Sequence, residues 1–145
     1  MESLASKIAV LSAGVFFLVG LVCGAWKYLH ISRSEDATAP VYVDIAHRAA
    51  LMYAFACLLI ERFVVLSKLG ANIETAAVLA QVVFFALAVF AYIVHGLLRD
   101  TNNQLARPHR LGAATLPNAM MTTFMLALIA GEIGGFAVLL WGSVM

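Results

Sequence analysis

From Ile8 to Trp26 the chain runs without a charged residue. Some 20 apolar residues, each rising about 1.5 Å, cross the hydrocarbon core of a bilayer, and only a backbone that satisfies its own hydrogen bonds is tolerated there, so such a run is a helix. The pattern recurs three times: Val41 to Ser67, Thr75 to Leu98 and Asn118 to Trp141 are long, apolar and bounded by polar or turn-forming residues. Only 12% of the 145 residues are charged, against roughly a quarter in soluble domains. The expected fold class is all-α: a polytopic membrane protein in which residues 1–145 form a single four-helix domain, with spans at about 8–26, 41–67, 75–98 and 118–141 and no β-structure. A secretory signal is the rival for the first run, since Lys7 precedes it and Cys23-Gly24-Ala25 is a small-residue site. That run exceeds the usual apolar core of about 7–15 residues, so it is read as a retained span.

The segments between the runs carry the punctuation. Thr38 and Pro40 read as a capping residue followed by a proline in the first turn of span two, and Pro117 opens span four. Gly20 and Gly24, and again Gly131 and Gly135, have the spacing that lets a neighbouring helix approach closely. Lys27, Arg33, Arg99, Arg107 and Arg110 lie in two longer polar loops, whereas the N-terminal segment and the 68–74 turn offer Lys7 and Lys68. The bias of basic residues then puts both termini outside and the two longer loops in the cytoplasm. A formal charge of +1 gives no basic patch for nucleic acid. Cys23 and Cys57 both fall inside apolar runs, where a buried cysteine behaves as a small hydrophobe.

Span two departs from this plainness. Between Asp44 and Phe63 it holds His47, Arg48, Glu61 and Arg62, and ionisable groups at bilayer depth are costly and by default point to function. At about 100° per residue, Leu51, Phe55 and Leu58 fall within about 80° of His47 on one face. Glu61 shares that face but lies about 21 Å along the axis, at the other end of the bundle. A neutral imidazole in a dry helical bundle is a good axial ligand for haem iron, and Arg48 beside it suits a haem propionate. The alternative is an interfacial histidine wetted by headgroups. Tyr53 and Tyr92, taken singly, read as interfacial aromatics, as do Trp26 and Trp141. His95 reads as facing the following loop in preference to a second ligand, His30 and His109 as solvated, and Glu61-Arg62 as a local ion pair. Glu132, alone in mid-span, needs a partner, a proton or a watery cavity. No motif of hydrolase or nucleotide chemistry is present: no GxSxG, HExxH or glycine-rich phosphate loop.

Taken together, the first span, a polar loop, Ala46-His47 opening span two, a short turn, Tyr92 near the end of span three and a proline-bearing loop before span four resemble the styrene oxide isomerase family of small four-span membrane enzymes. Ala46-His47 stands where that family has its haem-ligating histidine, and Tyr92 where it has a substrate-facing tyrosine. The resemblance implies haem b held by His47, with ferric iron as a Lewis acid that rearranges a small hydrophobic epoxide to an aldehyde. It also implies a homotrimer in a lipid bilayer, expected to be a bacterial inner membrane. Two departures stand out: Tyr53 and Ala88 occupy positions where the family has asparagines, so Tyr53 is a candidate for altered substrate preference. Two other classes remain open. Ile45-Ala46-His47-Arg48 is also similar to the helix start of succinate dehydrogenase anchor subunits, which bind haem b or quinone without catalysing the chemistry. A cofactor-free helical partner subunit or small transporter, with Glu132 as its working residue, is the third.

Overall fold

A computed structural model describes residues 3–145. The chain forms four helices, α1 (Leu4–Ile31), α2 (Val41–Leu66), α3 (Ala71–Leu98) and α4 (Asn118–Val144). Each has 26 to 28 residues, about 40 Å at the rise of an α-helix, and all four are long and apolar enough to cross a membrane. The protein is a helical four-span bundle. Helix ends run past the apolar runs where a cap is at hand. Ser3 accepts a hydrogen bond from the Ser6 amide at 3.1 Å, which starts α1 before Ile8. Gly70 caps α3, which takes Glu74 into its first turn. Pro40 itself is the N-cap of α2, while the Thr38 hydroxyl turns back to Ser34, so the expected threonine cap does not form.

The tightest pairing is α1 against α2. Along α1 the buried residues are Ala5, Ser6, Ala9, Ala13, Phe16, Gly20 and Cys23, spaced three and four apart on one stripe. They meet Ala46, Ala50, Ala54 and Cys57 of α2, all buried. Lipid tails are as apolar as leucine, so burying carbon gives membrane helices little reason to associate; small residues let backbones close to van der Waals distance instead. The first glycine pair works in this way. A Cβ on Gly20 would stand 2.6 Å from Leu51 Cδ2, and one on Gly24 would stand 2.8 Å from the His47 ring. Both cysteines are free and buried, packed as small apolar side chains. Polar contacts pin the seam near its ends. Ser6 Oγ donates to Glu61 Oε1 at 2.8 Å, so Glu61 binds across to α1 instead of pairing with Arg62. At the opposite end Lys27 meets Asp44 at 2.6 Å.

The fourth helix packs on α3 through the second glycine pair. Gly131 faces the Phe84 ring, and a Cβ on Gly135 would stand 2.7 Å from the Ala77 carbonyl oxygen. Only Gly135, Leu139 and Gly142 of α4 are buried, which leaves most of that helix to lipid. Trp141 is 65% exposed, as a belt residue would be, but Trp26 is half-buried over Gly96 and helps to pack α1 on α3. The expectation of no β-structure is corrected in the α3–α4 loop. There, β1 (Arg110–Leu111) pairs antiparallel with β2 (Ala114–Thr115), with Arg110 opposite Thr115. Gly112 takes a left-handed φ of 60° at the turn, a conformation open to glycine at little cost. His109, expected to be solvated, is buried and donates from Nδ1 to the Gln104 carbonyl at 3.1 Å.

Gly20→Val should destabilise the bundle by about 1–3 kcal/mol through overpacking, read as lower resistance to unfolding in mixed detergent micelles. Gly14→Val, whose Cβ would meet nothing within 4 Å, should leave that resistance unchanged.

Candidate functional site

His47 sits two turns into α2, half-buried, with its ring laid over Gly24 of α1. Its Nδ1 lies 2.8 Å from the Gly20 carbonyl oxygen. A carbonyl can only accept, so Nδ1 carries the proton and the neutral ring keeps its lone pair on Nε2. A backbone carbonyl on one ring nitrogen is the arrangement that fixes tautomer and orientation in metal-ligating histidines. Nε2 makes no hydrogen bond to any described residue. Arg48 points away from the seam: its side chain is 65% exposed and reaches Asp44 at 2.7 Å, the same carboxylate that holds Lys27. Further along the His47 face, Ala54, Phe55 and Leu58 join Val10, Ala13, Gly14 and Phe17 around an outward-opening apolar hollow of about 310 Å³.

Tyr53 and Tyr92 lie elsewhere. Tyr53 stacks on Phe85 of α3 with ring centroids 4.1 Å apart and planes 13° from parallel. Tyr92 stacks on Tyr42, centroids 6.0 Å apart. Tyr42 precedes His47 by five residues, about 140° round the helix. Glu132 of α4 is within electrostatic reach of both Tyr53 and Tyr92. The fold thus gathers Tyr53, Tyr92 and Glu132 on the side of α2 that faces α3 and α4, and leaves His47 on the side that faces α1. Within one chain the two tyrosines do not meet the histidine. Neither tyrosine is a free interfacial aromatic; both are half-buried among other rings.

His95 is buried and turned to the loop, as its place in the sequence suggests. Its Nδ1–H donates to Asp100 Oδ1 at 2.8 Å, and the Gly112 amide donates to Oδ2 of the same carboxylate at 2.6 Å. One acid thereby ties the hairpin to the end of α3. Tyr42, whose ring centroid is 5.1 Å from that of His95, accepts from the Gln104 amide and holds the same loop. Burial alone would raise the Asp100 carboxyl, but the hydrogen bonds from His95 and Gly112 hold it below the ordinary carboxylate range. This loop cluster was not legible in the sequence. A histidine five residues before an aspartate is common, and only the left-handed turn at Arg99 (φ 51°) folds the second back onto the first.

Among the described residues no three His, Cys, Asp or Glu side chains cluster as ligands for a bare metal ion. A lone imidazole with an oriented ring and a spare nitrogen suits a metal whose other ligands arrive with it, as in a haem. His95 packs against Tyr42, about 140° round α2 from His47, and is not brought to the same site. No known protein family, characterised protein or solved structure matches the chain.

The Asp100 cluster sets a pH dependence. An aspartate in an unfolded chain titrates near 4, and in the fold this one titrates lower. The stabilisation of the loop is therefore complete above about pH 4 and lost as pH falls through the lower folded value. The Gly112 amide proton shift should titrate with a midpoint below about 4, and Asp100→Asn should abolish that titration.

Proposed function

We propose that the protein is a haem b-dependent membrane isomerase, with His47 as the axial ligand and a small hydrophobic epoxide as substrate. The observation that carries this reading is the 2.8 Å contact between His47 Nδ1 and the Gly20 carbonyl. It places the proton on Nδ1, leaves the Nε2 lone pair free to ligate, and orients the ring on a helix seam. Haem bound there would supply a ferric Lewis acid with one open face, suited to polarising an epoxide oxygen on the way to an aldehyde. The chain's own part is to orient the imidazole and to keep water away, since water would trap an opened epoxide as a diol; the carbon-lined α1/α2 face suits that task.

Two features bear on how the site would be completed. The apolar hollow by Phe17 and Phe55 begins about 10 Å along the helix from His47, and Phe55 on its wall is 64% exposed. A flat cofactor on this face needs a second wall, which a neighbouring copy in a homotrimer would provide. Arg48 has room beyond Asp44 for a propionate. Tyr92 would orient the substrate oxygen only if the assembly brings it to the iron face of another protomer. Tyr53, tucked against Phe85, would act on substrate preference through the shape of the interior. The non-catalytic anchor reading asks for two axial histidines, and His95 lies against Tyr42, about 140° round α2 from His47, which speaks against supplying the second from the same chain. A bacterial inner membrane suits such a small integral enzyme.

Purified from haem-replete cells, the protein should carry a Soret band that His47→Ala removes and His30→Ala keeps. Imidazole or azide should shift the ferric spectrum by filling the open position. A small aryl epoxide should give its aldehyde without an electron donor, and Tyr92→Phe should slow this by about 10²-fold while haem stays bound. A colourless wild-type preparation sinks the reading, and so does bis-histidine iron with no aldehyde from a range of epoxides.

A further inference from the structure

Glu132 is a half-buried acid in mid-span with one carboxyl oxygen that the fold leaves without a partner. It lies in the middle of α4 and lines an elongated groove of about 480 Å³ between α2, α3 and α4, walled by Ala56, Leu59, Phe85, Phe136 and Leu140. Its Oε1 is sealed from the surface and has no hydrogen-bond partner, the only such buried side-chain atom among the described residues. Gln81 is the other polar side chain on the wall, and its amide nitrogen donates to the Ala77 carbonyl at 3.0 Å. Both glycines beside Glu132 serve packing on α3, which fixes the rotation of α4 and aims position 132 at the groove. A carboxyl at bilayer depth needs a partner, and no described residue provides one. Glu132 itself lines the groove, and its end torsion is soft, so a modest turn of the carboxyl presents an oxygen to a guest there.

We propose that this groove is an intramembrane binding site for an uncharged, mostly apolar molecule with a hydroxyl head, received by Glu132. The walls set the apolar body: apart from Glu132 and Gln81 the lining is carbon, and the volume falls in the range of small-molecule sites, roughly 300–1,000 Å³. The carboxyl sets the head. A hydroxyl both donates and accepts, so it satisfies the acid whether protonated or ionised. An alkylammonium would match only the ionised form, and it would bring a second charge into a wall that offers no further acceptor network. The groove opens toward lipid, so the molecule arrives from the bilayer and need not cross a polar vestibule. Phe85 lines the groove and carries the Tyr53 ring on it at 4.1 Å, so an occupant at the acid would also meet the edge of the aromatic interior. The site is separate from His47, which faces α1 on the other side of α2, and it does not depend on haem.

The test is photolabelling of the whole protein in lipid nanodiscs with a diazirine-bearing octanol, with adducts mapped by mass spectrometry. Saturable labelling around Ile133 and Phe136, displaced by octanol but not by octane, is the expected result. Glu132→Leu should raise the half-saturating concentration about tenfold, the scale of one good hydrogen bond, and Glu132→Gln should lose less because it keeps a donor and an acceptor. Ala137→Trp fills the groove from its rim and should abolish the saturable component, a check that stands even if Glu132→Leu folds poorly. Labelling that grows linearly along all lipid-facing helices would overturn the proposal. So would wild-type saturation in Glu132→Leu, or displacement by octylamine at far lower concentration than octanol. Each of these failures leaves the Soret test of His47 untouched, so the two readings stand or fall apart.

Discussion

The close approach of α1 and α2 is the contact on which the rest of the bundle depends. Hydrophobic burial cannot drive it in lipid, so the seam rests on shape and on a few polar contacts that have no water to compete with them. The shape comes from a stripe of alanine, serine, glycine and cysteine on α1, interrupted only by Phe16, laid against alanines and cysteine on α2. The polar contacts lie along its length: Ser6 to Glu61, His47 to the Gly20 carbonyl, and Lys27 to Asp44. They tie opposite ends and an intermediate level of one antiparallel pair, so they fix both its register and its rotation. A shift of α2 by one residue would turn His47 by about 100° away from the carbonyl and break more than one of these contacts together.

That fixed rotation decides what the two faces of α2 can do. With His47 turned into α1, Tyr42 and Tyr53 are turned to the aromatic interior, where they stack on Tyr92 and Phe85. Helix α4, held mainly by two glycines against α3, then closes that side loosely and leaves the groove at Glu132. A tighter α4 would need larger residues in place of its glycines, and those would strike the Ala77 carbonyl and the Phe84 ring. The looseness is thus a consequence of packing by small residues: backbones meet closely at the glycines, and the space between the larger side chains stays open.

The spans were legible because length and apolarity are nearly sufficient to specify a membrane helix, and the first glycine pair because Gly20 and Gly24 do seat a neighbour. Helix ends were less so. Ser3 and Gly70 extend helices beyond the hydrocarbon run, where caps rather than hydropathy decide. The hairpin at Arg110–Thr115 escaped because two-residue strands carry no periodicity, and its one cue, Gly112, is also an ordinary loop residue. Glu61 beside Arg62 looked like an ion pair, yet adjacent residues on a helix point about 100° apart, and Ser6 across the seam is the better placed partner. At the candidate site, helix periodicity placed His47, Phe55 and Leu58 on one face, and all three meet α1, His47 at Gly20 and the other two around the hollow. It gave no hint of the Gly20 carbonyl, because backbone acceptors carry no residue signature.

The separation of His47 from Tyr92 sharpens what any chemistry at this protein would require. A ligand histidine and a substrate-orienting hydroxyl must reach the same small molecule, and productive geometry tolerates displacements of only about an ångström. In a single chain α2 stands between them. The helix cannot turn to reconcile them, because the rotation that would swing His47 toward the interior breaks its bond to Gly20 and lifts its ring off Gly24. Were His47 to hold a metal and Tyr92 to orient a substrate at it, the two would have to come from different chains. A monomer would keep an oriented imidazole without a second wall, and it would keep the tyrosines and Glu132 as a separate interior lined for apolar guests.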